Sequence, residues 1–258
     1  MKKFILIAAA AVSMFASVNL GAWGKRTHAA IAIIAENHMT PEAQAKVREL
    51  LGGYHMVTFA SYLDEYRKKM MPLQHVQKVD LDFNSVNELY NSKGEKNGVI
   101  HIQDCINDLK HYKDLDDSTR RVDLYCIIHL IGDMHCPSHI SYKDGRQKFC
   151  GKLIYKGKET NFHHIWDGTV LDAKFAGGPL DLAYICDTAS PEEIAEIQKG
   201  DVRDWEHDCA ESCKEIFVVE KGAEIGHEYV LANWPLAADQ TRKAGYRLAK
   251  VMNDLFSK

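Results

Sequence analysis

An all-α, single compact domain with one small β-hairpin is what this sequence predicts. Three observations predict it. Apolar residues recur at helical period wherever a pattern is clear; the length suits one domain; and the only strand-like stretch is a short one, Lys152 to Lys158. His28 to His38 is made almost wholly of helix formers, and Thr40-Pro41-Glu42 then caps and opens a second helix ending at Gly52-Gly53. Val99, Ile102, Ile106 and Leu109 share one face of a helix over Val99 to Lys113. Leu124 to Met134 is apolar except for His129 and Asp133, which predicts a buried central helix. His163 to Ala176 and Pro191 to Val218 also suit helices, and Trp234 to Phe256 closes the chain with a long one. In Lys152 to Lys158, Gly157 marks the turn of the hairpin.

The first 22 residues read as an export signal: Lys2-Lys3, an apolar run from Phe4 to Ala16, and a small-residue ending at Ala22. The run is too short to span a bilayer, and nothing later in the chain is long and apolar enough to do so, so no stable membrane association is expected. Cleavage after Ala22 leaves Trp23 as the first residue of a 23–258 domain, secreted or periplasmic. It also removes two lysines and no acid, which takes the formal charge from −4 to −6. An acidic chain without a basic run is a poor passive nucleic-acid binder, so any affinity for phosphate must be local. Nothing in the sequence implies a protein partner.

All seven cysteines follow the signal: Cys105, Cys126, Cys136, Cys150, Cys186, Cys209 and Cys213. Export to an oxidising compartment predicts disulfides, with at least one thiol left over because seven is odd. No CxxC pair repeats at zinc-finger spacing, which argues against a cysteine zinc site.

His129 and Asp133 lie four residues apart in an otherwise apolar helix, so both project from one face. A buried carboxylate costs several kcal/mol unless it is paired or bound to metal. A lone pair of this kind is more often a core hydrogen bond than a site. This pair is not alone. Gly132 to His139 adds two histidines, with Pro137 ending the helix so that His139 can turn back, and His163 and Asp167 repeat the His-x-x-x-Asp spacing. Imidazole and carboxylate together are the ligands that zinc accepts.

Trp23-Gly24-Lys25-Arg26-Thr27-His28, Ala60-Ser61-Tyr62-Leu63-Asp64, the His129 to His139 segment and Asn161 to Asp167 together resemble the zinc-dependent, single-strand-specific nucleases of the S1/P1 type. Bacterial zinc phospholipases C share that fold and much of the ligand set. The resemblance runs to the Ala244 to Ala249 helix and so covers essentially all of 23–258. It implies three zinc ions: one held by Asp64, His75, His129 and Asp133; one by His139, His163 and Asp167; and one by the α-amine and carbonyl of Trp23 with His28, sharing Asp133 as a bridge. An N-terminal amine and its own carbonyl close a five-membered chelate ring, which makes the last of these chemically sensible. Three zinc ions against three carboxylates leave about three positive charges, the local phosphate attractor that the surface lacks. The resemblance gives Arg67 a phosphate-stabilising role and makes Asp64 the residue that orients an attacking water. It implies hydrolysis of single-stranded DNA and RNA to 5′-phosphorylated products, with 3′-nucleotides as further substrates.

The sequence departs from the family pattern at three places. Val76 stands where an aromatic often stacks a base, an interaction worth roughly 1 to 3 kcal/mol, and Tyr62 or Phe83 is a candidate replacement. Cys136 replaces the usual glutamine, and a Gly-Gly-Asn loop is not recognisable in Gln147 to Lys152. The last two changes are expected at the rim of the site. His135 is expected to pack rather than ligate, and His101, His38, His55, His111, His207 and His227 have no partner at ligand spacing. A zinc phospholipase C is the alternative enzyme, but Asp167 stands where phospholipases resembling this pattern usually carry glutamate. An exported zinc-binding protein without activity is the non-enzymatic alternative, against which the intact ligand set and Arg67 argue.

Overall fold

In the computed structural model, residues 23–70, 73–146, 151–174 and 177–257 are described, with the backbone alone for 67–70. The signal segment, Cys150 and most of the Gln147 to Lys152 loop therefore lie outside the described residues, as does the side chain of Arg67. Eleven α-helical segments account for most of the described chain: α1 (Lys25–Asn37), α2 (Pro41–Leu50), α3 (Tyr62–Met70), α4 (Gly98–Lys110), α5 (Asp117–Met134), α6 (Phe162–His164), α7 (Val170–Asp172), α8 (Pro179–Cys186), α9 (Pro191–Ile197), α10 (Val202–Cys213) and α11 (His227–Phe256). The expected all-α class holds. No helix among the described residues is long and apolar enough to cross a membrane.

Local chemistry explains the helix ends. The Thr40 hydroxyl accepts the Ala43 N–H at 3.2 Å and Pro41 occupies the first turn of α2. The same helix stops where Gly52 and Gly53 take φ of +72° and +91°. The single stretch expected over Pro191 to Val218 is two helices, because Gly200 turns the chain at φ +79° and Asp201 then caps α10 by accepting the Arg203 and Asp204 N–H groups. The last helix begins earlier than expected. Pro235 looks like a helix start but lies inside α11, where it withholds one N–H, and the Asn233 amide donates to the Tyr229 carbonyl nearby.

The core forms around α5 and α11. Asp116 caps α5, whose first turns are solvated and whose stretch from Leu124 is buried with the exception of Tyr125. The long α11 packs along α1, α2, α4, α5 and α8. Gly245 sets the α1–α11 approach, since a Cβ there would stand 2.5 Å from Ile34 Cγ2. Gly245→Ala is therefore expected to destabilise the fold by about 1–3 kcal/mol through overpacking, despite alanine's better helix propensity. Denaturant unfolding checks this, and a gain in stability would mean that the helices separate at no cost.

Strands are few but more numerous than the sequence indicates. The expected hairpin is present as antiparallel β3 (Lys152–Tyr155) and β4 (Lys158–Asn161). Lys156 and Gly157 both have positive φ, as a two-residue hairpin turn requires. β5 (Glu224–Ile225) adds to β3 in parallel, and β1 (Gln77–Val79) pairs in parallel with β2 (Ile140–Tyr142). These short pieces correct the expectation of one strand-like region. Three residues are too few to print a period-two pattern.

The six described cysteines are all buried free thiols. The disulfides expected from export are thus not found among the described residues. Each of these thiols faces the packed interior, and Cys209 and Cys213, four apart on α10, hold their sulfurs 3.9 Å apart without a bond.

Candidate metal centre

Five pieces of the chain bring the candidate ligands to one place. α5 supplies His129 and Asp133 from one face, and α1 supplies His28, whose ring stacks on His129 with centroids 4.2 Å apart. α1 and α5 approach closely there because position 132 is glycine: a Cβ would lie 2.8 Å from His28 Nδ1. α3 supplies Asp64. The parallel strands place the next two residues, because β1 begins two residues after His75, β2 begins directly after His139, and Gln77 is paired with Ile140. The hairpin delivers the rest: Asn161, at the end of β4, accepts the His164 N–H at 2.7 Å and caps the helical run carrying His163 and Asp167. That run contains a π-helical turn, Ile165–Thr169.

Asp133 is the hub. Its carboxylate lies 3.2 Å from His28 Nε2, 3.2 Å from His129 Nε2, 2.5 Å from His75 Nδ1 and 3.9 Å from His139 Nδ1. Asp64 stands 3.7 Å from His129 Nε2 and 4.0 Å from His75 Nδ1. On the other side, His139 and His163 stack with Nε2 atoms 3.1 Å apart, and Asp167 lies 3.4 Å from His163 and 4.0 Å from His139. Trp23 is wholly buried, and the next residue, Gly24, donates its N–H to the Asp167 carbonyl at 2.7 Å. The side chains of His28, Asp64, His75, His129, Asp133, His139, His163 and Asp167 therefore lie together, and Trp23 reaches them only through the backbone bond of Gly24 to Asp167; Arg67 cannot be placed beyond its position one turn after Asp64 on α3.

The donor atoms fit metal ions better than they fit each other. His28 Nε2, both ring nitrogens of His75, His129 Nε2, His139 Nδ1 and both Asp133 oxygens are buried with no hydrogen-bond partner, although several lie within 3.2 Å of one another. Buried polar atoms are normally satisfied, and a set that converges without hydrogen-bond geometry is what a shared cation resolves. Groups with metal-ligand spacing are His28, Asp64 and His129; His75, His129 and Asp133, which shares His129 with the first; and, separately, Cys136, His139 and Asp167. The outer nitrogen of His129 is fixed by the Ala60 carbonyl, which accepts from Nδ1 at 2.8 Å and leaves Nε2 facing the carboxylates.

Without a cation the cluster is electrostatically divided. Burial opposes charge on His129, but Asp133 and Asp64 outweigh it and raise the imidazole to about 9. Burial likewise opposes ionisation of Asp133, yet His129 and His75 hold its carboxyl well below the usual range. Asp167 is pushed up to about 9 by burial, with Asp133 and Asp64 adding repulsion. Burial lowers His139 and His163, which keeps them neutral.

Cys136 is not at the rim: it is fully buried, and its thiol donates toward Asp167 Oδ1 at 3.8 Å. His135 packs as expected, donating from Nδ1 to the Ile131 carbonyl and accepting at Nε2 from Arg247; burial followed by the Arg247 charge lowers it to about 3. Tyr62 stacks on Tyr66 and lies tilted against Tyr125, while Phe83 packs edge-on to Tyr142. Val76 itself is 40 % exposed.

Residues 23–257 match the S1/P1 nuclease family. Endonuclease 2 of Arabidopsis thaliana is 23 % identical over 272 residues, covering 94 % of this chain and 93 % of that protein. Nuclease S1 of Aspergillus oryzae is 23 % identical over 96 % of both chains, and nuclease P1 of Penicillium citrinum is 28 % identical over 60 % of both. With a match over nearly the whole described chain and a His/Asp cluster suited to metal, the chain belongs to the S1/P1 nuclease family and is a nucleic-acid hydrolase.

Proposed function

We propose that the chain is an exported, zinc-dependent nuclease that hydrolyses single-stranded DNA and RNA to 5′-phosphorylated products and also acts on 3′-nucleotides. The observation that carries this reading is the Asp133 hub, where unpartnered donor atoms of His28, His75, His129 and His139 converge. Zinc bound there supplies Lewis acidity, making water acidic enough to attack phosphorus near neutral pH and neutralising charge on the phosphoryl oxygens. Asp64 and His75 with His129 and Asp133 form one ligand set, His139 and His163 with Asp167 a second, and Trp23 with His28 and Asp133 a third, for three ions in all.

The protein's own groups prepare the site. Ala60 fixes the His129 tautomer, the Cys136 thiol holds one Asp167 oxygen, and Asp64, the more open carboxylate of the first set, orients the attacking water. Arg67, one helical turn after Asp64, steadies the phosphate. A duplex keeps its bases stacked, whereas a single strand can bend a phosphate into a recessed cluster and turn a base outward. Exposed Val76 offers that base a weaker platform than an aromatic ring, so discrimination among bases is slight.

A substrate panel on the processed protein tests the reading. Single-stranded DNA and RNA are expected to be degraded faster than duplex by about tenfold or more, because a duplex must first give up pairing and stacking worth a few kcal/mol. Faster hydrolysis of phosphatidylcholine would move the chain to the phospholipase class.

Proton release on metal loading follows from the same electrostatics. His129 and Asp167 both sit at about 9 without a cation, so both carry a proton near neutral pH and must lose it to bind zinc. Apparent affinity is expected to fall with falling pH, by about tenfold per unit for each of the two displaced protons. Calorimetry in buffers of different ionisation enthalpy measures this; binding that releases no proton would contradict it.

A further inference from the structure

α4 and α5 meet at a second cluster of ligand-type side chains. His101 and Cys105 are four residues apart on α4 and share a face. Cys126 and Asp123 are three apart on α5. One ligand atom from each of His101, Cys105 and Cys126 lies within 4.8 Å of the others, and Asp123 stands one turn before Cys126 on the same helix. All four residues are buried.

The hydrogen bonding inside this cluster is incomplete. His101 Nδ1 and Asp123 Oδ2 have no partner among the described residues. A thiol–imidazole hydrogen bond accounts for the 3.6 Å between Cys105 Sγ and His101 Nε2, but gives the Asp123 oxygen no partner. The same separation has a second meaning. A tetrahedral zinc ion, with Zn–S near 2.3 Å and Zn–N near 2.0–2.1 Å, holds a sulfur and a nitrogen ligand about 3.6 Å apart. Two thiolates and one imidazole give three ligands, the unpartnered Asp123 oxygen is the candidate fourth, and burial of all four residues leaves a substrate no way in, as suits a structural rather than a catalytic ion.

We propose that His101, Cys105, Cys126 and Asp123 form a buried structural site for a thiophilic divalent cation, zinc first, that clasps α4 to α5. Binding displaces the two thiol protons to solvent. The site shares no residue with the Asp133 cluster, yet Cys126 lies one turn before His129, so the clasp steadies the helix that carries the hub. The proposal does not depend on what the Asp133 cluster hydrolyses.

Cobalt(II) substitution of the processed protein tests it, because thiolate-to-cobalt charge transfer gives a near-ultraviolet band that imidazole and carboxylate ligands do not. The parent and a Cys136→Ser variant are expected to show the band. Cys105→Ser and Cys126→Ser are each expected to lose it, together with one zinc per chain relative to the parent by elemental analysis. Should the serine variants fail to fold, alkylation of the unmutated protein reads the same site: Cys105 and Cys126 are expected to stay protected until a chelator removes metal. A band and zinc content unchanged in both serine variants would overturn the proposal. So would labelling of both thiols at equal rates with and without chelator, or a Cys105–Cys126 disulfide in the isolated protein, seen as a mass lighter by two hydrogens.

Discussion

Asp133→Ala is expected to lower kcat/KM by on the order of 10³-fold or more, the loss of roughly 4 kcal/mol of transition-state stabilisation, while the helices remain formed. The residue is wholly buried and its two oxygens serve different neighbours: Oδ1 faces His28 and His139, Oδ2 faces His75 and His129. On the proposed ligand sets, removing it takes a ligand from two ions at once and leaves four histidines without the charge that gathers them. Asp133→Asn keeps the shape but not the charge, and its activity is expected to lie between those of alanine and the parent. Steady-state kinetics with circular dichroism as the fold control checks both. A Cys105→Ser change, by contrast, touches no atom of the hub, so the two metal sites can be separated by which variant loses activity. Parent-like turnover by a folded Asp133→Ala protein would remove the carboxylate from the chemistry.

A protein carrying one extra residue before Trp23 is expected to lose about 10²-fold or more in activity, and one zinc, with its fold intact. The physical reason is the nitrogen. A peptide-bonded nitrogen has no basic lone pair, whereas the free α-amine that the proposed cleavage after Ala22 would leave is a good zinc ligand. The placement supports this role: Trp23 is buried, Gly24 is pinned to the Asp167 carbonyl at 2.7 Å, and His28 follows on the first turns of α1. Extension should therefore act on metal content first and on rate through it. Equal zinc and equal rates with and without the extension would exclude the N-terminus as a ligand.

Periodicity decides which parts of this architecture can be read from the sequence. His129 with Asp133, and His163 with Asp167, are legible because a helix puts residues four apart on one face, and a carboxylate in an apolar helix demands a partner. Asp64 and His75 follow only from the likeness of their surroundings to a family, since neither has a ligand at helical spacing. The parallel pairing of β1 with β2, which sets His75 beside His139, is hidden because strands of three residues print no pattern. The π-helical turn around Asp167 is hidden for a similar reason: one extra residue in a short helical run leaves no trace in the spacing of apolar side chains. Cys136 looked peripheral because it follows the end of α5, and only the tertiary turn made by Pro137–His139 buries it against Asp167. The His101 cluster was half visible. Cys105 stands four residues from His101 on one helix, which corrects the expectation that His101 has no partner at ligand spacing, and Cys126 joins them from another helix, which no spacing in the sequence shows.

Diffraction from crystals of the processed protein, collected at the zinc edge, tests the central claim most directly. The anomalous map is expected to show three peaks grouped around Asp133, each about 2.0–2.2 Å from its ligands: one among Asp64, His75, His129 and Asp133, one among His139, His163 and Asp167, and one at His28, Asp133 and the Trp23 amine. A map with no peak there, or with a single peak in a protein that is fully active, would contradict the account.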